Sequence, residues 1–359
     1  MKYLISISKI NKIGPSTLGR LFKYFKSGEA IWTASYNDLK HVGLYENIIQ
    51  EFLLKRKIIN PDQELENLNK HNIKVTALPD DDYPRLLKEI HNPPFILYYK
   101  GNLTNLSEES IAIVGSRKMT SYGKQITQTI VSELSNQNIM TISGLALGVD
   151  SIVHIHTLQN DNRTVAVLGA GLDRIYPTTN HILAQKIVEQ NGLLISEYPI
   201  GTLPLKHNFP MRNRIISGLS LGTLVIEAGE SSGALITAKF ALEHNREVFA
   251  IPGNLTSPMS KGTNDLIKNG AKLVQSAEDI LEELNIKQIQ QFKTNQEIIP
   301  DSPEEAEILK HLTSEQKHVN ELVKLSSFTI TKVNSTLMML EMKGLIKNLG
   351  NNIYIKSMN

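Results

Sequence analysis

The sequence predicts an α/β protein built around a doubly wound parallel sheet. Three observations carry this. Between about residues 110 and 275, short β-branched runs alternate with longer stretches of helical pattern. Nearly every run is bounded by Gly, Ser or Pro, so it is too short for a helix and is bracketed by turns. The glycines, hydroxyls and arginines cluster just after the runs, at the carboxyl ends where sheets of this kind bind ligands.

The elements follow in order. Up to about residue 65 the chain reads as helical. Leu4, Ile7 and Ile10, then Leu18, Leu21, Phe22 and Phe25, recur at helix spacing. Between them lies the turn Ile10-Asn11-Lys12-Ile13-Gly14-Pro15, with a weaker copy at Leu39-Lys40-His41-Val42-Gly43-Leu44. Helix, glycine turn, helix is the pattern of a helix-hairpin-helix (SAM-like) module. The alternative is a small bundle that only packs or pairs with protein. A bridging region then ends in the apolar run Phe95–Tyr99, which predicts a strand. The buried strands are predicted at Ile111–Val114, Met140–Ser143, Thr164–Leu168, Leu193–Ser196, Thr223–Glu227 and Glu247–Ile251, with a seventh at Lys272–Val274. Residues 285–302 are rich in Gln and Asn and read as a linker. The tail from Pro303 predicts three helices, the third capped by Thr329 or Thr331, followed by a hairpin turned at Gly350-Asn351-Asn352. Three helices and a wing make a winged helix. The expected domains are therefore 1–65 (helical, helix-hairpin-helix-like), 66–284 (Rossmann-like), 285–302 (linker) and 303–359 (winged helix).

Composition excludes several classes. The chain contains no cysteine, so disulfides and Cys-ligated zinc are out, in keeping with a reducing, cytoplasmic setting. No apolar run is long enough to span a bilayer and no export signal opens the sequence. The net charge of +2 is unevenly spread: residues 1–60 carry +6, residues 301–359 are neutral, and the middle is −4. A polyanion bound by the sheet domain must therefore meet a focused patch.

That patch is predicted at Phe209-Pro210-Met211-Arg212-Asn213-Arg214-Ile215-Ile216-Ser217-Gly218. No Asp or Glu occurs between Glu197 and Glu227, so nothing nearby in sequence neutralises Lys206, Arg212 and Arg214. Arginine forks match phosphate oxygens, and an aromatic beside them offers a base a stacking face. A second element is the strand-to-helix turn Gly115-Ser116-Arg117, where helix-start amides favour an anion. It lacks the spacing of a dinucleotide fingerprint or a P-loop. Gly169-Ala170-Gly171 is half a fingerprint and reads as backbone geometry. Gly218-Leu219-Ser220-Leu221-Gly222 has the strand on the wrong side for a hydrolase elbow. His154 and His156 lack a metal-site spacing, and Glu227 and Asp150 read as hydrogen-bonding anchors of the rim loops.

The chain resembles the DNA-processing protein A family (DprA, also called Smf). The resemblance rests on Gly115-Ser116-Arg117 with Thr120 and Tyr122-Gly123, Ser143 through Asp150 with His154, Val165 through Asp173 with Tyr176-Pro177, Ser196-Glu197, Phe209 through Ser220, Glu227-Ala228 with Ser232 through Ala238, and Val248 through Gly253. It spans about residues 75–275. It implies an extended Rossmann-like sheet domain and a cytoplasmic, non-enzymatic protein that binds single-stranded DNA, forms a homodimer, protects incoming DNA in natural transformation and loads the RecA recombinase. No cofactor or metal is implied. The DNA-binding positions it carries over are Gly115, Ser116, Arg117, Lys206, Phe209, Arg212, Asn213, Arg214, Ser217 and Gly218. Met211 departs from the family, many members having a basic residue there. Two other classes are a nucleotide-binding enzyme of the lysine-decarboxylase-like Rossmann group and a non-catalytic interaction scaffold. The first needs a Pro-Gly-Gly-x-Gly-Thr loop that Glu227–Gly233 lacks. The tail, with no arginine, is expected to add little DNA affinity and to contact protein.

Overall fold

A computed structural model describes residues 1–107, 109–286, 302–312, 317–342, 346–350 and 352–356. It forms two units, Met1–Leu284 and Asn285–Asn359.

The first unit opens with six helices: α1 (Lys2–Ser8), α2 (Pro15–Phe25), α3 (Gly28–Thr33), α4 (Tyr36–His41), α5 (Glu46–Ile58) and α6 (Pro61–Lys70). Pro15 starts α2 at the position where its missing N–H costs nothing. Ser35 and Asp38 close a capping box on α4. In the turn between α1 and α2 the left-handed residue is Lys12, at φ 70°, and not Gly14, which sits at φ −79°.

Nine strands make one sheet: β1 (Lys74–Ala77), β2 (Ile96–Lys100), β3 (Ser110–Val114), β4 (Met140–Ser143), β5 (Thr164–Val167), β6 (Leu193–Ser196), β7 (Gly222–Val225), β8 (Glu247–Ala250) and β9 (Lys272–Leu273), in the order β1-β2-β6-β5-β4-β3-β7-β8-β9. The seven from β3 onward are parallel, as the alternating rhythm predicts. β1 and β2 are added antiparallel beside β6. A lone run such as Val75–Ala77 is too short to announce a strand by itself.

The helices between strands are α7 (Arg85–Lys88), α8 (Ser121–Asn136), α9 (Val149–Gln159), α10 (His181–Glu189), α11 (Asn208–Gly218), α12 (Gly233–Glu243) and α13 (Lys261–Lys268), and α14 (Ala277–Glu283) follows β9. Successive strand residues face opposite sides, which divides the core in two. Leu97, Val165, Val167, Leu193 and Ile195 pack with Ile215 and Ile216 of α11 and Ala234, Ala238 and Ala241 of α12. Ile96, Tyr98, Ala166, Leu168 and Leu194 pack with α9, α10 and the N-terminal helices. Phe22 meets Phe95 at 5.3 Å between ring centroids, and Ser8 Oγ lies 2.7 Å from the Tyr98 hydroxyl. The N-terminal helices thus share a core with the sheet, and residues 65 and 66 both lie within α6.

In the second unit the helices are Pro303–His311, Val319–Ser326 and Ile330–Met342. Thr329 Oγ1 accepts from Lys332 N at 3.4 Å, which makes Thr329 the cap. The strands Ile346–Asn348 and Ile353–Lys356 form the wing, and Lys317–His318 adds a third strand beside Ile353 and Tyr354. Ile308, Leu322, Val333, Leu337 and Leu340 fill its core. Of the linker, residues 287–301 lie outside the described residues, as does Asn351 at the hairpin turn.

Candidate functional site

The strand order fixes where a site can form. From β3 the chain winds through β4, β5 and β6 in one direction, then returns to place β7 on the other side of β3. At that reversal the loops leaving β3 and β7 diverge and open a crevice beyond the carboxyl ends. A cleft of about 810 Å³ lies there. Its walls come from Gly115, Ser116, Arg117 and Lys118 after β3, Ala146 and Asp150 after β4, Tyr176 after β5, Lys206, Phe209, Arg212 and Asn213 after β6, and Gly229, Ser231, Ser232, Gly233 and Thr237 after β7. The expected rim of glycine and hydroxyl loops is this cleft.

Side-chain chemistry is concentrated on one wall. Phe209 is half-buried; the Arg117 guanidinium carbon lies 5.7 Å from its ring centroid, and the Tyr176 ring is 5.5 Å away, tilted by 42°. Arg117, Lys118 and Lys206 are exposed. Among the described residues lining the cleft, four are basic and one, Asp150, is acidic. Asp150 accepts from the backbone N–H groups of Gly144 at 3.2 Å and Ala146 at 3.3 Å. Burial pushes its carboxyl up, while Arg212 and those N–H groups oppose the rise.

Arg212 is only 4% exposed yet lines the floor. Its Nη1 donates to Gly144 O at 2.6 Å and also to Val167 O, and its Nε donates to Asn213 Oδ1 at 3.1 Å. It ties α11 to the ends of β4 and β5. Burial lowers its pKa to about 10; Asp150 opposes the shift and Arg117 adds to it. A methyl group on Gly144 would come within 2.7 Å of the guanidinium, so the absence of a side chain there makes room for it.

The predicted positions separate by helix geometry. Phe209, Arg212, Asn213 and Ile216 follow the i, i+3, i+4, i+7 spacing of one face of α11 and line the cleft. Gly115, Ser116, Arg117 and Lys206 join them. Arg214, Ser217 and Gly218 fall on the opposite face. Arg214 Nη2 donates to Glu197 Oε2 at 2.5 Å with both side chains buried. The Ser217 hydroxyl donates to Arg214 O at 3.3 Å and lies 3.1 Å from His244 Nδ1. Gly218 packs on Leu87 and Ile90, which a methyl group would meet at 2.9 Å. No acid lies between Glu197 and Glu227 in sequence, yet Glu197 itself, just after β6, neutralises Arg214 through space.

A second correction concerns the start of α8. Two of its N-terminal donors, the N–H groups of Thr120 and Gly123, are already engaged by protein. Thr120 N donates to Glu227 Oε2 at 2.8 Å, Thr120 Oγ1 donates to Glu227 Oε1 at 2.6 Å, and Gly123 N donates back to Thr120 Oγ1 at 3.2 Å. Glu227 therefore places a carboxylate of the protein itself at this helix start, and anchors the β7 loop to the β3 loop. Sequence reasoning missed Lys118, Tyr176 and Ser232 as cleft residues. The signal was present for Lys118, which adjoins Arg117 in a loop without acids; Tyr176 needed the sheet to bring it to Phe209.

His154 is fully buried with Nδ1 2.8 Å from Thr164 Oγ1, and His156 Nε2 pairs with Gln128 at 2.8 Å. Among the described residues no three side chains are grouped to hold a metal, and no helix is long and apolar enough to cross a membrane.

Residues 74–285 match the family model described as DNA recombination-mediator protein A, and residues 293–352 match a DprA winged helix domain. The chain is 35% identical to Protein Smf of Synechocystis sp. over 381 residues, covering 96% of each. The solved structure of DNA processing protein A from Streptococcus pneumoniae superposes with a TM-score of 0.70 at 36% identity, covering 79% of this chain and 98% of that one. That of DNA processing protein A from Helicobacter pylori, a structure concerned with its single-stranded DNA binding mode, gives 0.54 at 33% identity, covering 60% and 97%.

Proposed function

Because the chain belongs to the DNA recombination-mediator protein A family, we propose that it binds single-stranded DNA in the cleft where β3, β4, β5, β6 and β7 end. One observation carries the reading. Arg117 and Tyr176 flank the Phe209 ring, and Lys118, Lys206 and Arg212 line the same cleft. An unpaired base can reach a ring in a cleft, while a base inside a duplex cannot. Cations beside the ring hold the phosphates on either side of that base.

In this reading Gly115, Ser116, Arg117, Lys118, Lys206, Phe209, Arg212 and Asn213 touch the strand. Arg117, Lys118 and Lys206 supply free charge, Phe209 stacks, and Asn213 and Ser116 offer hydrogen bonds. Arg214, Ser217 and Gly218 act from beneath by setting the pose of α11. The protein performs no chemistry on the strand; Asp150 and Glu227 are held by backbone and hydroxyl donors. It acts in the cytoplasm as a homodimer that protects incoming DNA in transformation and delivers it to the RecA recombinase. Filter binding of oligo-dT tests the first step. Accelerated recombinase assembly on protein-coated single strands tests the delivery.

The winged helix serves protein contact. Its third helix exposes Met338 and Met339, while Lys332 is engaged with Glu304 at 2.8 Å. Truncation after residue 296 leaves single-strand affinity within about threefold, below the tenfold that about 1.4 kcal/mol represents. A loss beyond tenfold with the sheet domain intact overturns this role.

A further inference from the structure

A second groove, of about 820 Å³, lies behind the cleft. One wall is the turn from Lys9 to Pro15 between α1 and α2, and the other is the loop from Glu197 to Thr202 after β6. The segment leading into α11 separates the two spaces. Its side chains alternate: Pro204 and Lys206 line the cleft, Leu205 and His207 line the groove. The groove thus begins where the cleft ends, across a ridge formed by the segment Pro204–His207.

Its lining suits the same kind of ligand. The floor is aliphatic and aromatic, with Ile13, Phe95 and Tyr198, and the basic groups Lys9, Lys12 and His207 line it as well. The one carboxylate among its described lining residues, Glu197, is spent on Arg214. Lys9 is held by Glu64 at 2.6 Å, whereas the Lys12 amine stands 3.6 Å from Glu51 and its side chain is 54% exposed. Lys12 is also the residue that takes the left-handed conformation of the turn, at φ 70°. Glycine would occupy that conformation at less cost, so the turn carries an amine at a position that does not favour one.

We propose that this groove carries the single strand onward from the cleft, with Lys12 and His207 meeting its phosphates and the apolar floor receiving its bases. The inference rests on the cleft binding single-stranded DNA as set out above. It gives the N-terminal helical hairpin a place on the same DNA track.

The test compares oligo-dT of about six nucleotides, near the lower end of the roughly 4–16 nucleotide footprint of a single-strand groove, with oligo-dT of about twenty, beyond its upper end, on the full chain. The variants are Lys12→Gly, His207→Ala and Arg117→Ala. Lys12→Gly keeps the turn, because glycine adopts positive φ freely, so folding does not cloud the result. The expected outcome is that Lys12→Gly and His207→Ala weaken the long oligonucleotide by about threefold to tenfold, lower its salt slope by about 0.7 per lost contact, and leave the short one unchanged. Arg117→Ala weakens both. If the groove variants leave both lengths unchanged, or weaken both equally, while Arg117→Ala still weakens both, the groove proposal falls and the cleft stands. If Arg117→Ala changes neither, the reading of the cleft itself fails. If Lys12→Gly abolishes binding of poly-glutamate but not of the long oligonucleotide, the groove belongs to an acidic protein partner and the proposal is overturned.

Discussion

Arg214 donates to Glu197 across 2.5 Å, the two side chains 3% and 9% exposed, directly beneath the helix that forms one wall of the cleft. A buried pair of this kind is strongly felt when broken from one side, because the remaining charge is left without compensation. Arg214→Met therefore lowers unfolding free energy by about 3–5 kcal/mol in urea titrations. Adding Glu197→Leu to Arg214→Met restores part of that loss. If Arg214→Met melts like the unaltered protein and still binds DNA poorly, Arg214 is a contact residue and its placement here is wrong.

Arg117 and Phe209 separate charge from stacking. Arg117→Ala costs about 1.5–3 kcal/mol of single-strand binding, the range of charge-assisted hydrogen bonds, and reduces the salt slope by about 0.7. Phe209→Ala costs about 1–3 kcal/mol as well, yet leaves the slope nearly unchanged. Binding isotherms across a salt series read both quantities. Equal flattening by the two variants would contradict the division of roles.

Gly144 offers a way to disturb the cleft without removing any of its charges. A methyl group there meets the Arg212 guanidinium at 2.7 Å, so Gly144→Ala displaces a side chain fixed by Gly144 O and Val167 O. DNA affinity should fall by about tenfold, or about 1.4 kcal/mol, with unfolding showing destabilisation of similar size. Unchanged affinity would remove Arg212 from the binding surface.

Much of this was legible in the sequence, and the limits have identifiable causes. The parallel strands were readable because each is short, β-branched and punctuated, and their carboxyl-end loops do gather on one rim. β1 was not, since it stands outside the strand–helix alternation that identified the equally short parallel strands. On α11 the residue types were legible but their directions were not. Arg212 and Arg214 look equivalent in a linear motif, and only the helical repeat sends one to the cleft and the other to Glu197. The partners Glu197 and Glu227 lie 17 and 107 residues from the groups they bond. Such long-range pairing leaves no local mark, which is why Arg214 read as free charge and the start of α8 read as an anion site.

His154 makes acid stability measurable. Burial, with Arg212 adding to it, holds the imidazole down to about 3, against 6.5 when exposed. Its folded form is neutral and its unfolded form takes a proton below about 6.5. The contribution is therefore complete above that pH and is lost as pH falls towards 3. The loss reaches about 2 kcal/mol by pH 5, its slope approaching about 1.4 kcal/mol per pH unit. His244, lowered to about 4 by burial first, acts in the same direction. Asp150 and Glu197, raised by burial, act in the opposite direction, from their unfolded values upward. His154→Gln should flatten the pH dependence of urea midpoints over that window; an unaltered slope would show that His154 is not the group responsible.

The central claim is that exposed bases reach Phe209 in a basic cleft. The most direct measurement is equilibrium binding of one sequence as a single strand and as a duplex, at matched length and several salt concentrations, to the full chain and to Phe209→Ala. The account predicts tighter binding of the single strand at every salt concentration, with the preference narrowed in Phe209→Ala. Equal affinity for both forms across the series, or a preference that Phe209→Ala leaves intact, would contradict it.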